Sequence, residues 1–223
     1  GFSADQISQV KAGSFVEGNI QPSNERELVV ALAFLVQTPP TELVNQLRQD
    51  VLDRLDPNTI AFGVIEGSPS LASFEKLSLD PDEEKRAKAY ADATPDGDLN
   101  LSAQEVAAFD ALGSAPTPDA VEAAVKKALM ARLQAYQSQG LAGIAPYARD
   151  DGKTRSPGDD LRSATTVTKK LEELVPNAYQ ALLPYPNARP AGFEDVFEWS
   201  HYRAHGTPTI ALTHTLFIPE GPA

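Results

Sequence analysis

The segment Asp92–Val106, DATPDGDLNLSAQEV, carries oxygen-bearing side chains at alternate positions, which is a pattern that can bind a hard cation. An EF-hand calcium loop has twelve residues, with oxygen ligands at alternate positions, a glycine at position 6 and a bidentate glutamate at position 12. Taking Glu105 as position 12 places three further oxygen ligands in the loop, namely Asp96, Asp98 and Asn100. The spacing therefore suggests calcium as a candidate cofactor.

Neither alignment of this segment with the calcium loop is complete. In the frame that ends at Glu105, Thr94 replaces the first aspartate and Leu99 replaces the glycine. In the frame that puts Gly97 at position 6, Ala103 stands where the closing glutamate is needed. Each frame satisfies only part of the rule.

The same residues also predict a turn followed by a capped helix. Pro95-Asp96-Gly97 has the composition of a tight turn. Ser102 and Glu105 have the spacing of a capping box, in which each side chain bonds the backbone N–H of the other residue. We favour this interpretation, with no cofactor, and keep calcium as the alternative.

The three histidines lie close together in the sequence and suggest a second kind of chemistry. His201, His205 and His214 could form a hydrolytic or metal centre with Glu198. The segment EWSHYRAH is not the H-E-x-x-H of zinc peptidases, however, and no G-x-S-x-G, S-x-x-K or G-x-G-x-x-G is present. A hydrolase is therefore an alternative function, and a non-enzymatic protein is the main expectation.

Aromatic residues concentrate in a predicted hairpin at the end of the chain. Strands over Phe193–Arg203 and Thr209–Ile218 flank AHGTP, and a turn at 205–208 would place Trp199 opposite His214. Together with the preceding proline-rich segment, this hairpin could wall an apolar groove. The candidate ligand-binding residues are Phe197, Trp199, Tyr202 and His214.

The composition restricts the partners. The net charge of −12 and the pI near 4.6 argue against nucleic acid, because such a surface repels phosphate. There is no cysteine for disulfides or thiolate chemistry, and no apolar run approaches the length of a transmembrane span. A small apolar molecule or another protein is the expected partner.

The elements that would position these residues indicate an α+β fold. Strands are predicted near 14–20, at Leu28–Val36 and at Thr59–Gly67, and the apolar run Leu28–Val36 is typical of a strand buried on both faces. The middle is helical, with its strongest helix over 118–139. We therefore expect one domain over 1–223, with an antiparallel sheet built from N- and C-terminal strands, and a possible helical subdomain at about 70–185.

Several blocks resemble an uncharacterised family of exported bacterial proteins that has no established activity. The resemblance lies in LQAYQSQGLAGIAPY, LEELVPNAYQALLPYP and GFEDVFEWSHYRAHGTPTIALTHTLF, and more loosely in ELVVALAFLVQTPPTELVNQLR. The family has a cysteine-flanked Pro-Gly-Asp turn where this chain has Pro95-Asp96-Gly97. The resemblance implies a periplasmic or secreted protein, which agrees with a chain that begins Gly-Phe rather than Met.

Overall fold

The computed structural model describes residues 2–19, 21–22, 25, 29–49, 54–80, 82–167, 172–173, 176–189, 192–204 and 207–218. The chain divides into two compact units, Gly1–Gln49 and Asp50–Ala223, whereas the sequence predicts one domain over 1–223. Helices combine with antiparallel strand pairs throughout, so the α+β class is confirmed.

The N-terminal unit has two helices and a two-stranded antiparallel ribbon. Its elements are α1 (Ala4–Lys11), β1 (Val16–Gly18), β2 (Ala31–Ala33) and α2 (Pro40–Leu47). Ser3 begins α1 with a capping box, in which the Gln6 side chain accepts from the backbone N–H of Ser3. Val16 is its only fully buried hydrophobic residue among the described positions.

The prediction of a central strand at Leu28–Val36 is wrong. Leu28 lies outside the described residues, and the strand that forms is only the three residues of β2. Among the described residues, β2 pairs with β1 alone, so the apolar run has only one neighbouring strand there. Val30 and Phe34 are accordingly 67% and 55% exposed.

The C-terminal unit contains the remaining helices and strands. They are, in order, β3 (Thr59–Ile65), a 3-10 turn (Leu71–Phe74), α3 (Glu83–Ala91), α4 (Ala103–Asp110), α5 (Pro118–Gln139), β4 (Tyr147–Ala148), β5 (Thr154–Arg155), α6 (Pro157–Val167), α7 (Pro176–Leu182), β6 (Glu194–Ala204) and β7 (Thr207–Phe217).

The main sheet has the antiparallel order β3-β6-β7, so it joins a strand of the C-terminal unit's start to the final hairpin. Ala204 pairs with Thr207, so the hairpin loop has two residues rather than the predicted four. This shorter loop shifts the register. Phe197, not Trp199, lies opposite His214.

One face of this sheet and the helices share a single core, so the segment 70–185 is not a separate helical body. Helix α5 supplies a stripe of buried residues at helical spacing, namely Val121, Val125, Leu129 and Leu133, as its sequence predicts. Its C-terminal Gly140 has φ +60°, and a Cβ there would lie 1.8 Å from the carbonyl oxygen of Tyr185. Only glycine fits this junction.

Among the helices in the described ranges, none is both long and apolar enough to cross a membrane.

Candidate functional site

The loop with the calcium-like spacing faces two arginine side chains. Asp96, at φ +58°, pairs with Arg149 (Oδ1 to Nε, 3.2 Å), and Arg149 also donates to the Asn100 side-chain oxygen at 2.9 Å. Arg132 donates to the backbone carbonyl of Asn100 at 2.8 Å. Both guanidinium groups lie within 6 Å of the Tyr147 ring centre, at 5.8 and 5.7 Å. Within Asp96 and Asn100, three oxygen atoms are therefore hydrogen-bonded to or ion-paired with an arginine.

Glu105, the residue proposed to close the calcium loop, has two structural roles. It forms the predicted capping box, because its Oε2 accepts from the Ser102 backbone N–H at 2.7 Å and its own N–H donates to the Ser102 hydroxyl at 3.3 Å. Both carboxylate oxygens also accept from Arg132, at 2.6 and 2.8 Å. Burial alone would raise the pKa of Glu105, but the hydrogen bonds and charge of Arg132 lower it.

Three of the four proposed calcium ligands, Asp96, Asn100 and Glu105, therefore have an arginine partner. Asp98 is the one for which no arginine contact is seen within the described parts of the chain. Across those parts, no group of three or more histidine or acidic side chains is arranged to hold a metal ion. Calcium binding by this loop stays a prediction.

The histidines do not form one cluster. His201 pairs with Ile210, four residues before His214 on β7, so the two residues are about 13 Å apart along the strand direction. Glu198 points to the opposite sheet face from His201, because side chains alternate along a strand. His205 lies outside the described residues. A joint site of His201, His214 and Glu198 is therefore not assembled.

His214 instead forms the centre of a chain of hydrogen bonds between the hairpin and helix α5. The Tyr136 hydroxyl lies 2.8 Å from Nδ1, and Nε2 lies 3.0 Å from the Asp195 carboxylate. Since an ionised carboxylate can only accept, Nε2 carries the proton and Nδ1 accepts from tyrosine. Arg189 forms an ion pair with the same Asp195. The order is carboxylate, imidazole and phenol.

In this series of hydrogen bonds, the shifted pKa values keep the imidazole of His214 and the phenol of Tyr136 uncharged. Burial, followed by the charge of Arg189, lowers the pKa of His214 to about 4. Burial, followed by the nearby Tyr185, raises the pKa of Tyr136 to about 12. At neutral pH the imidazole and the phenol are both uncharged, and the chain acts as a set of directional hydrogen bonds.

Aromatic rings enclose the imidazole of His214. Phe197 stacks on it with ring centres 4.6 Å apart, and Tyr185 lies 4.8 Å away. Tyr136 and Tyr185 stack on each other at 5.1 Å. Phe197 and His214, two of the four candidate ligand-binding residues, are thus in direct contact, and their rings stack on each other.

His201 is fully buried and contacts a different cation. The guanidinium NH1 of Arg86 lies 2.9 Å from Nε2, and because arginine can only donate, Nε2 accepts and Nδ1 carries the proton. That Nδ1 has no hydrogen-bond partner among the described residues. Burial, followed by the charges of Arg86 and Arg203, lowers the pKa of His201 to about 4.

Two of the proposed groove residues lie elsewhere than predicted. Trp199 is 1% exposed and belongs to the core, where its Nε1 donates to the Ser73 carbonyl at 2.8 Å. A Cβ on Gly63 would lie 2.8 Å from that same nitrogen, so the indole fits closely under β3. Tyr202 is on the opposite sheet face from Trp199 and His214. No groove is formed by Trp199, Tyr202 and His214 together.

A surface feature that sequence reasoning missed lies at the edge of the sheet. Strand β3 is an outer strand, and no described segment pairs with its free side. A cleft of about 510 Å³ opens beside the first half of this strand. It is lined by Arg54, Asp56, Thr59, Ile60, Ala61, Phe62 and Lys76. The only sequence signal for this feature was the uncharged run TIAFGVI. Such a run predicts a strand but does not tell whether the strand lies at the edge or in the interior of a sheet.

Comparison of the chain with known protein families, with curated proteins and with solved structures found no match.

Proposed function

We propose that the protein is a non-enzymatic binding protein that takes up an extended segment of another polypeptide along the free edge of β3. The observation that carries the proposal is this edge, with which no strand of the described ranges pairs, together with the cleft beside it. An outer strand presents N–H and C=O groups at every second residue, and an added strand can satisfy them. The sequence suggests a binding groove near the terminal hairpin. The site proposed instead is the β3 edge, on the other side of the same sheet.

The two edges of the sheet differ in their protection. The seven residues of β3, Thr59–Ile65, include no charged residue and no proline. On the other outer strand, β7, Pro208 removes one backbone donor. Proteins commonly block exposed edges with proline or lysine. The absence of such residues along β3 favours this edge as the one that receives a partner.

Side chains beside the edge add apolar contact. Ile60 and Val64 are 37% and 38% exposed, and Phe62 lines the cleft. A partner strand would cover these groups while pairing with the backbone, so main-chain hydrogen bonds would supply affinity and the cleft would supply side-chain selectivity.

The hydrogen-bond chain from Asp195 through His214 to Tyr136 supports a second candidate, an acid–base enzyme, because it has the order of groups found in catalytic triads. The pKa shifts argue against that role. Acid–base groups work best with a pKa near the operating pH, whereas here the imidazole is shifted down to about 4 and the phenol up to about 12. A hydrolytic activity that His214→Asn abolishes in a folded protein would reverse the order of the two candidates.

The binding proposal is tested by NMR with short synthetic peptides. We expect an uncharged, end-blocked peptide of alternating valine and threonine to shift the amide resonances of Thr59–Ile65 and to slow hydrogen exchange of the outward-facing amides. The same peptide with N-methyl groups on its pairing amides should not bind, because it lacks the donors.

A matched pair of protein variants locates the site. Val64→Lys places a charge beside the pairing edge and should weaken binding, whereas Val64→Thr should preserve it. Peptide-induced shifts confined to another surface, or none at any accessible concentration, would reject the proposal.

A further inference from the structure

We infer that the bound segment is acidic where it meets the start of β3, with a carboxylate held between Arg54 and Lys76. This inference rests on the proposed function and identifies the chemical class of the partner. Both cations line the cleft beside Thr59–Phe62.

The two cations are available for an outside partner. Arg54 and Lys76 are both exposed, and neither has a hydrogen-bond or ion-pair partner among the residues that the structure describes. Arg132 and Arg149 of the same unit are, by contrast, paired with Glu105 and Asp96. Free cations in a cleft are notable in a chain with a net charge of −12.

The one carboxylate in the cleft is directed elsewhere. Oδ1 of Asp56 accepts from the backbone N–H of Asn58 at 2.8 Å and from its side-chain amide at 3.0 Å. These bonds form the turn that leads into β3, as aspartate commonly does at turns. The lining groups therefore total two cations against one anion, a local excess of positive charge.

The chemistry of the two cations suits a carboxylate. A guanidinium group binds a carboxylate through two parallel hydrogen bonds, and an ammonium group adds a compact charge that can approach from another direction. Ile60 and Phe62 in the same cleft would contact apolar residues of the segment. The expected ligand is an extended peptide with an acidic residue next to an alternating apolar run.

Nucleic acid does not fit this surface. Two cations can neutralise only a few phosphates. The net negative charge of the protein would repel the remaining phosphates of the nucleic acid. A second copy of this protein pairing along β3 is the other occupant to test, and each copy would bring the same net negative charge.

The test compares two end-blocked peptides that differ only in one residue, glutamate or glutamine, placed before an alternating valine–threonine run. We expect the glutamate peptide to bind about fivefold more tightly at low salt, and the preference to fall as salt increases. In the double variant Arg54→Gln with Lys76→Gln, both peptides should bind equally. Arg54→Glu with Lys76→Glu should reverse the preference toward a lysine peptide. Because both side chains are exposed, the variants should remain folded, which circular dichroism verifies.

The outcomes separate this inference from the function on which it rests. Equal binding of the two peptides with shifts at the β3 amides would overturn the acidic partner and leave the peptide-binding function standing. Absence of shifts at β3 with either peptide would overturn both. Concentration-dependent shifts of the β3 amides without peptide would assign the edge to a second copy and overturn the inference.

Discussion

Helix α5 carries two polar anchors one turn apart, and they stabilise its neighbours by different means. Arg132 binds Glu105 and the carbonyl of Asn100, which fixes the loop before α4. Tyr136 binds His214, which fixes the terminal hairpin. The first anchor is an ion pair between charged groups, and the second is a hydrogen bond between neutral ones.

The difference shows how burial selects the chemistry of a contact. At Glu105, burial favours the neutral acid but the guanidinium outweighs it, so the pKa of Glu105 falls and the pair stays charged. At His214, Asp195 is already paired with Arg189, so burial dominates and the imidazole stays neutral. The two anchors should therefore respond differently to acid.

Acid should weaken the histidine anchor first, and this is the largest effect we expect. The pKa of His214 falls from 6.5 to about 4 in the folded protein, so between those pH values the unfolded chain binds more protons and the free energy of unfolding decreases as pH falls. His201 has the same shift and adds to the loss. Each contributes on the order of 3 kcal/mol. The lowered pKa of Glu105 delays loss of its contribution until the pH falls below about 4.5.

NMR titration of the histidine ring protons checks this order. We expect two of the three imidazoles to titrate near pH 4, with His214→Asn removing one of them and reducing the pH dependence of stability between pH 6.5 and 4. Titration of all three near 6.5 would mean that neither His201 nor His214 is buried as described.

Removing the ionic anchor should have the next largest effect. Arg132→Ala leaves the carboxylate of Glu105, whose side chain is 13% exposed, without its cation. We expect the free energy of unfolding to fall by about 2–4 kcal/mol, because a buried charge would lose its partner. Urea denaturation followed by far-ultraviolet circular dichroism measures the change.

The matched control removes an exposed ion pair of similar length. Lys88 lies in the last turn of α3, and Asp92 follows the helix directly, four residues later. Their side chains are 75% and 58% exposed. Lys88→Ala should change stability by less than about 0.5 kcal/mol. Equal effects of the two substitutions would contradict the distinction between the anchors.

Weakening the neutral anchor should cost less than breaking the ionic one. Tyr136→Phe keeps the ring contacts with Tyr185 and Phe197 and removes only the hydroxyl that donates to His214. We expect a loss of about 1 kcal/mol, measured by the same urea titration. A loss as large as that of Arg132→Ala would show that the hydroxyl does more than donate one hydrogen bond.

The smallest expected effect concerns calcium. Since Arg132 and Arg149 contact five oxygen atoms of the proposed calcium loop, millimolar calcium added to chelator-treated protein should leave its melting temperature unchanged. A calcium-dependent increase would restore the metal-site interpretation, because a ligand that binds the folded state stabilises it.

Local spacing rules predicted what depends on neighbours in sequence. The capping box at Ser102 and Glu105 formed as expected, and so did α5 with its buried stripe. These features require only the geometry of one helix. The α+β class followed for a similar reason, because helix and strand periods are visible in short segments.

What the sequence could not provide depends on partners far along the chain. Arg132 lies 27 residues from Glu105, and nothing in the local pattern assigns a guanidinium group to that loop. The hairpin loop is two residues shorter than predicted, and this changes the strand register. The cross-strand partner of His214 is therefore Phe197 instead of Trp199. The apolar run around β2 looked like a core strand, but burial depends on the number of neighbouring strands, which its composition does not specify.

The indole under Gly63 also determines how the molecule can be observed with light. Trp199 is the only tryptophan, and all six tyrosines lie beyond residue 49, in the C-terminal unit. The indole of Trp199 is buried and donates a hydrogen bond to the Ser73 carbonyl. Its fluorescence should therefore peak at short wavelength until the sheet separates from the 3-10 turn. Intrinsic fluorescence therefore reports the opening of that junction, while the N-terminal unit, whose aromatic residues are phenylalanines, can unfold without a signal.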